Sequence, residues 1–217
     1  MASGVHSIDA YVFYFDVVGF VDDFLDSGAE ALNRLRAFQR SARRAFSFSH
    51  GHSYVVTLYD NVWARLNAVE PGTPSLLLDF AGRTMAAARR EGFNRFFGCI
   101  TRGVHDFDPA DRMLVAGETF EDLREQHLDL TSEPHIRAAA AEKWSRCTEL
   151  PTNCVWVSAE VVDLSALPAH GQFCDGAFEP YGESFDLAQV HTPNGRVWPF
   201  SPSTFRAIRW KASAYGA

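Results

Sequence analysis

Two aspartates conflict with the stretches of sequence that carry them. Asp16 sits near the end of Ala10-Tyr-Val-Phe-Tyr-Phe-Asp-Val-Val18, a run otherwise aromatic, β-branched or small. Such a run suits a strand buried on both faces, where an unpaired carboxylate costs several kcal/mol or takes a raised pKa. Asp60 follows the apolar run Tyr54 to Tyr59, and with Asn61 it reads as a hairpin turn. If the two carboxylates converge they repel, unless a positive charge lies between them. Divalent cations supply that charge. Mg2+ or Mn2+ on one or two carboxylates plus substrate phosphates is a common arrangement, and two ions can divide the attacking and leaving-group roles. Val17, Val18, Gly19, Phe20 and Val21 follow Asp16 directly. Gly19 permits close backbone approach, and amides at a helix start favour phosphate. Read singly, Asp16 ends a strand, Asp60 makes a turn and Gly19 bends the chain; read together, they point to a metal–phosphate site.

The elements that must position these residues follow from periodicity. A strand is expected over 10–18, then one amphipathic helix over 21–47 carrying Phe24, Leu25, Leu32, Leu35, Phe38, Ala42 and Phe46. Strands at Tyr54–Tyr59 and Val62–Leu66 flank the turn. A helix over 75–91, a strand at Phe96–Ile100, a polar turn at His105–Arg112, a strand at Met113–Ala116 and a helix from Gly117 come next. Farther on, 135–147 reads as helix, Cys154–Ser158 as strand and 159–165 as the start of another helix. From Gly171 short apolar runs alternate with Gly and Pro, which fits a small β extension ending at Trp210. The order strand–helix–strand–strand–helix–strand is the split β-α-β arrangement of ferredoxin-like folds, with the first strand beside the later pair. One α+β domain over 1–217 is expected, with its motif-bearing core at about 10–165 and a C-terminal elaboration at about 166–217.

Composition narrows the function. With 20 Lys+Arg against 27 Asp+Glu the net charge is −7, which disfavours nucleic acid as a partner. The 47% hydrophobic and 22% charged content is that of a globular chain. No apolar run approaches the roughly 18 residues of a membrane span, and Met1–Asp9 lacks an apolar signal core. The four cysteines show no CxxC spacing. A cytoplasmic enzyme with free thiols and no membrane partner is the expectation. His50 and His52 read as loop residues, and Arg36, Arg40, Arg43 and Arg44 as a solvated helix face.

The motifs resemble those of class III nucleotide cyclases. Phe15-Asp16-Val17-Val18-Gly19-Phe20 is similar to that family's first metal motif, and Leu58-Tyr59-Asp60-Asn61-Val62-Trp63-Ala64 to its second, with Tyr59 in place of the usual glycine. Gly98-Cys99-Ile100-Thr101-Arg102-Gly103 resembles its Gly-Ile-x-x-Gly strand, and Gly117 its helix entry. The resemblance covers about 10–130. It implies a ferredoxin-like cyclase domain in which Asp16, Asp60 and the Val17 carbonyl hold two Mn2+ or Mg2+ ions and Gly19, Phe20 and Val21 cradle phosphates. It also implies a homodimer whose sites lie between protomers, and attack of a ribose 3′-hydroxyl on the α-phosphate with loss of pyrophosphate.

The departures are as informative. Adenylate cyclases place a base-reading lysine at the position of Val56, and their second base reader falls on Leu114. The ribose-positioning asparagine aligns with Glu121 and the transition-state arginine with Glu125, while Arg124 is one residue off, about 100° around a helix. Apolar residues cannot hydrogen-bond a purine edge. These losses look like the pyrimidine cyclases of Pycsar antiphage systems, which make cyclic UMP or cyclic CMP to activate a separate effector. That resemblance implies a pyrimidine triphosphate substrate, UTP ahead of CTP. Tyr54 and Val56 are then candidates to face the base, and Arg102, closing its strand, is the candidate cation for phosphoryl charge. A purine cyclase with atypical base contacts and an inactive nucleotide-binding dimerisation module remain as alternatives.

Overall fold

The computed structural model describes residues 6–46, 53–67, 73–107, 132–145, 153–158, 161, 178–186 and 204–210. Its centre is the strand that the apolar run dictates, β1 (His6–Val17). Alternation sends Phe13, Phe15 and Val17 to one face and Val12, Tyr14 and Asp16 to the other. Both faces are covered, so the run has no polar alternation to lose.

The hairpin β2 (Tyr54–Leu58) and β3 (Asn61–Asn67) lies on one side of β1, and β4 (Phe96–Phe107) on the other, all antiparallel. β5 (Cys154–Ser158) joins β4 in parallel, and β7 (Thr204–Trp210) and β6 (Phe178–Asp186) complete a seven-stranded sheet of order β2-β3-β1-β4-β5-β7-β6. The first four positions are the ferredoxin-like order expected. The C-terminal strands β7 and β6 prolong the main sheet.

Helices α1 (Phe20–Ser27), α2 (Ala29–Ala45) and α3 (Thr73–Arg90) accompany the Phe13 face. Phe38 and Phe80 are essentially buried there, with Phe80 edge-on to Phe13 at 5.4 Å. Burying each such ring contributes about 1.5–3 kcal/mol. Helix α4 (Glu133–Ser145) packs Ala138 and Ala141 on the opposite face, against Tyr14, Trp63, Phe97 and Trp156.

Three expectations need correction. The single helix over 21–47 is two helices, because Gly28 takes φ 50°, ψ −112°, and the Ser27 hydroxyl turns back to the Asp23 carbonyl at 2.8 Å. β4 does not stop at Ile100. It pairs with β1 over twelve rungs, and His105, expected in a polar turn, is a fully buried strand residue. Helix α4 begins two residues before the expected start at 135. The strand expected at Met113–Ala116, the helix from Gly117, and Leu114, Glu121, Arg124 and Glu125 lie outside the described residues, as do His50, His52 and nearly all of 159–165.

Candidate functional site

The end of β1 and the β2–β3 turn come together. Asp16 pairs in register with Asn61, and the Val17 amide donates to the Asp60 carbonyl at 3.2 Å. The second tie, from the Val18 amide to the Arg95 carbonyl at 3.0 Å, fixes the other side of the strand end. Asp16 is only 2% exposed, whereas Asp60 is half-buried. Between the two carboxylates stands Asn61, whose side-chain nitrogen donates to Asp16 Oδ1 and to Asp60 Oδ1, each at 2.9 Å. Two acceptors that repel each other are thus joined by one neutral double donor.

The turn that presents Asp60 is under backbone strain. Tyr59 holds φ 50°, a left-handed conformation that glycine adopts freely and a tyrosine does not. Its side chain is 88% exposed, so no packing explains the choice, and Gln39 donates to its carbonyl. Here the two-residue turn aligns Leu58 with Asn61 and so sets Asn61 opposite Asp16.

Gly19 takes φ 86° and caps α1 with no side-chain hydrogen bond. A Cβ there would have only the Asp22 carboxylate, at 4.0 Å, for a neighbour, so the glycine answers to conformation and not to crowding. The amides that open α1 have no earlier carbonyl in the helix to donate to. Phe20 turns its ring toward Phe24 and Phe93, each at 6.4 Å, and Val21 is 65% exposed. What Gly19, Phe20 and Val21 share at this spot is backbone. The same first turn carries Asp22 and Asp23, the latter 3.8 Å from Arg34. A phosphate here meets acid side chains as well as amides, so a cation must carry the balance.

The donor set suits such a cation. Carboxylate oxygens with a backbone carbonyl are hard ligands of the Mg2+ and Mn2+ type. Among the described residues no three His, Cys, Asp or Glu side chains gather into a closed cage. Two converging carboxylates leave positions for substrate oxygens and fit an ion shared with phosphate.

Tyr54 and Arg102 do not join this site. Arg102 pairs with Tyr11, five residues back along β1 from the rung of Asp16, or about 17 Å at about 3.4 Å per residue. The odd count also places it on the face covered by α1, α2 and α3, opposite Asp16. Its Nε donates to both Asp9 oxygens, at 3.1 and 3.0 Å, and its guanidinium lies 5.5 Å from the Tyr11 ring centre. Tyr11 ionises above its ordinary range, chiefly because burial disfavours the phenolate; Arg102 acts against that and Asp9 with it. Tyr54 is 2% exposed and is enclosed within the chain instead of lying open to a base. Its hydroxyl is 2.7 Å from His135 Nε2, their rings are parallel, and the buried Arg65 guanidinium lies 4.8 Å from the Tyr54 ring. It braces the start of α4 against the sheet. Val56 pairs with Trp63 and stays half-buried on the Asp16 face of the hairpin.

Asn61 is the site residue that sequence reasoning missed, since it read as half of a turn. Its signal was the two-residue loop, which fixes the β2–β3 register and so the face on which Asn61 falls.

The adenylyl cyclase CyaB from P. aeruginosa superposes with a TM-score of 0.57 at 14% identity, over 98% of this chain and all of that one. The catalytic core of a rhodopsin-guanylyl cyclase with converted specificity, in complex with ATPαS, gives 0.54 at 14% identity over 97% and 100%. The guanylate cyclase domain of RhGC from Catenaria anguillulae, in complex with GTP, gives 0.54 at 12% over 95% and 99%. This chain has the class III nucleotide cyclase fold. No family model and no curated protein matches its sequence. Within the cyclase fold, the Asp16–Asn61–Asp60 cluster is at the end of the central strand. No helix among the described residues is long and apolar enough to cross a membrane.

Proposed function

We propose that the chain is a metal-dependent nucleotide cyclase that converts a pyrimidine ribonucleoside triphosphate, UTP ahead of CTP, into its 3′,5′-cyclic monophosphate and pyrophosphate. The observation that carries this reading is the convergence of Asp16 and Asp60 on one amide nitrogen, beside the Gly19 turn, in a cyclase fold. In the reaction the ribose 3′-oxygen attacks the α-phosphorus and gives up its proton to solvent water. The bond from that phosphorus to the bridging oxygen breaks, and pyrophosphate departs. Asp16, Asp60 and the Val17 carbonyl are the ligands for two Mg2+ or Mn2+ ions, and the amides of Gly19, Phe20 and Val21 receive phosphate oxygens. Bound divalent ions lower the pKa of the attacking hydroxyl and neutralise the leaving group. Val17, tied to the turn through the Asp60 carbonyl, keeps the two carboxylates at one level.

The pyrimidine assignment is supported by Val56, an apolar side chain where class III adenylate cyclases place a base-reading lysine and guanylate cyclases a polar residue. The Pycsar resemblance adds a role in antiphage signalling, and the class III resemblance a homodimer in which the partner protomer completes each site. With Arg102 committed to Asp9 on the other face, the phosphoryl cation has to come from elsewhere in the dimer. A purine substrate is the second reading, favoured by the two solved structures above that hold ATPαS and GTP. Incubation of the purified protein with Mn2+ and each of the four ribonucleoside triphosphates, with products resolved by mass, decides between them. Cyclic UMP or cyclic CMP supports the proposal. Cyclic AMP or GMP overturns the pyrimidine assignment, and no cyclic product overturns both enzyme readings.

A further inference from the structure

We propose that Asn61 is a positioning residue that stands in for the cation between Asp16 and Asp60 until a divalent ion arrives. The inference rests on the metal reading above. Asp16 is almost wholly buried, and a second carboxylate brought beside it costs free energy unless something donates to both. The Asn61 nitrogen does so at 2.9 Å on each side, and charge-assisted bonds of this kind are stronger than neutral ones. The position is built into the fold: Asn61 faces Asp16 across the β1–β3 ladder and follows Asp60 in the chain.

The sign of the effect follows from which state needs the amide more. With no ion present, the two N–H bonds are the service that Asn61 gives to the paired carboxylates. Once a cation neutralises the carboxylates, those bonds matter less. Asn61 therefore stabilises the ion-free protein more than the loaded one, and by linkage it holds the affinity for the ion down. The site stays assembled when metal is scarce, and it yields metal more readily than two bare carboxylates would.

The test uses the full chain without substrate. Thermal unfolding is followed in EDTA and with Mn2+, and Mn2+ affinity is measured by the electron paramagnetic resonance of free Mn2+. Asn61→Ala is expected to lower the melting temperature in EDTA, to enlarge the Mn2+-induced rise, and to bind Mn2+ roughly five- to tenfold more tightly. Asn61→Ser, which keeps one hydroxyl donor, is expected to lie between the two and guards against poor folding of the alanine variant. Unchanged or weaker Mn2+ binding in both variants, with native binding intact, overturns the stand-in role alone, because a merely structural asparagine would weaken the site when removed. Absence of Mn2+ binding by the native protein overturns the metal reading and this role together.

Discussion

Gly98 and Val155 meet across the parallel β4–β5 pair so closely that a Cβ on Gly98 would stand 2.7 Å from Val155 Cγ2. Val155 is fully buried among the residues under α2 and α3, so it has nowhere to retreat. Gly98→Ala is expected to destabilise the protein by about 1–3 kcal/mol, as overpacking of a filled core does. Urea unfolding measures it. Gly98→Ala combined with Val155→Ala should unfold closer to native than the two single losses summed, because the deleted methyls remove the collision.

If the proposed metal site is right, Asp60→Ala is expected to lower cyclase turnover by about a thousandfold or more, since several kcal/mol of charge stabilisation would depend on ions held there. Asp60 is a half-buried turn residue, so the far-ultraviolet circular dichroism should persist. Turnover in that variant near the native rate would place the metal ligands elsewhere.

Tyr59→Gly is expected to stabilise the chain by about 0.5 kcal/mol. Relief of a left-handed tyrosine, about 1–2 kcal/mol, exceeds the extra backbone entropy of glycine, about 0.5–1 kcal/mol. The exposed ring forfeits little packing. Chemical denaturation gives the difference, and a loss of stability would show that the tyrosine side chain contributes a contact that outweighs its backbone cost.

Stability should fall at alkaline pH partly through Cys99. Its thiol is fully buried, and burial pushes its pKa up, well above the ordinary thiol range. The unfolded thiol ionises from about pH 8.5 upward while the folded one stays protonated. The unfolded state then binds fewer protons, so this contribution is full at neutral pH and is lost as pH rises toward the folded-state value. Melting temperatures between pH 7 and 10 should decline less steeply in Cys99→Ala than in the native protein.

The parts of the fold that were legible in the sequence are those set by local pattern. The Ala10–Val18 run marks the central strand, the Asp60-Asn61 pair marks a hairpin although the turn itself is Tyr59-Asp60 and Asn61 already opens β3, and the order of elements gives the sheet order β2-β3-β1-β4. The break at Gly28 was hidden because the apolar stripe continues from α1 into α2 with its phase nearly intact. The length of β4 was hidden because His105 and Arg102 look like turn residues until β1 is set beside them. At the site, Asp16 and Asp60 stood out by chemical type. Asn61 and Arg102 were misread, because both depend on register, which decides what a strand residue faces. Counting rungs from Asp16 brings Asn61 to the carboxylates and takes Arg102 to the far side of the sheet.

The same register carries a consequence for folding. A hairpin that docked on β1 one rung out of step would turn Asn61 and its neighbours to the opposite side, away from Asp16. Val62, Ala64 and Leu66 would then exchange places with Trp63 and the buried Arg65, so the misdocked form would put a cation among the phenylalanines. The phenylalanine layer thus acts as a proofreader for the chemistry. A sheet paired one rung out of step would bear the penalty of a buried guanidinium among apolar rings.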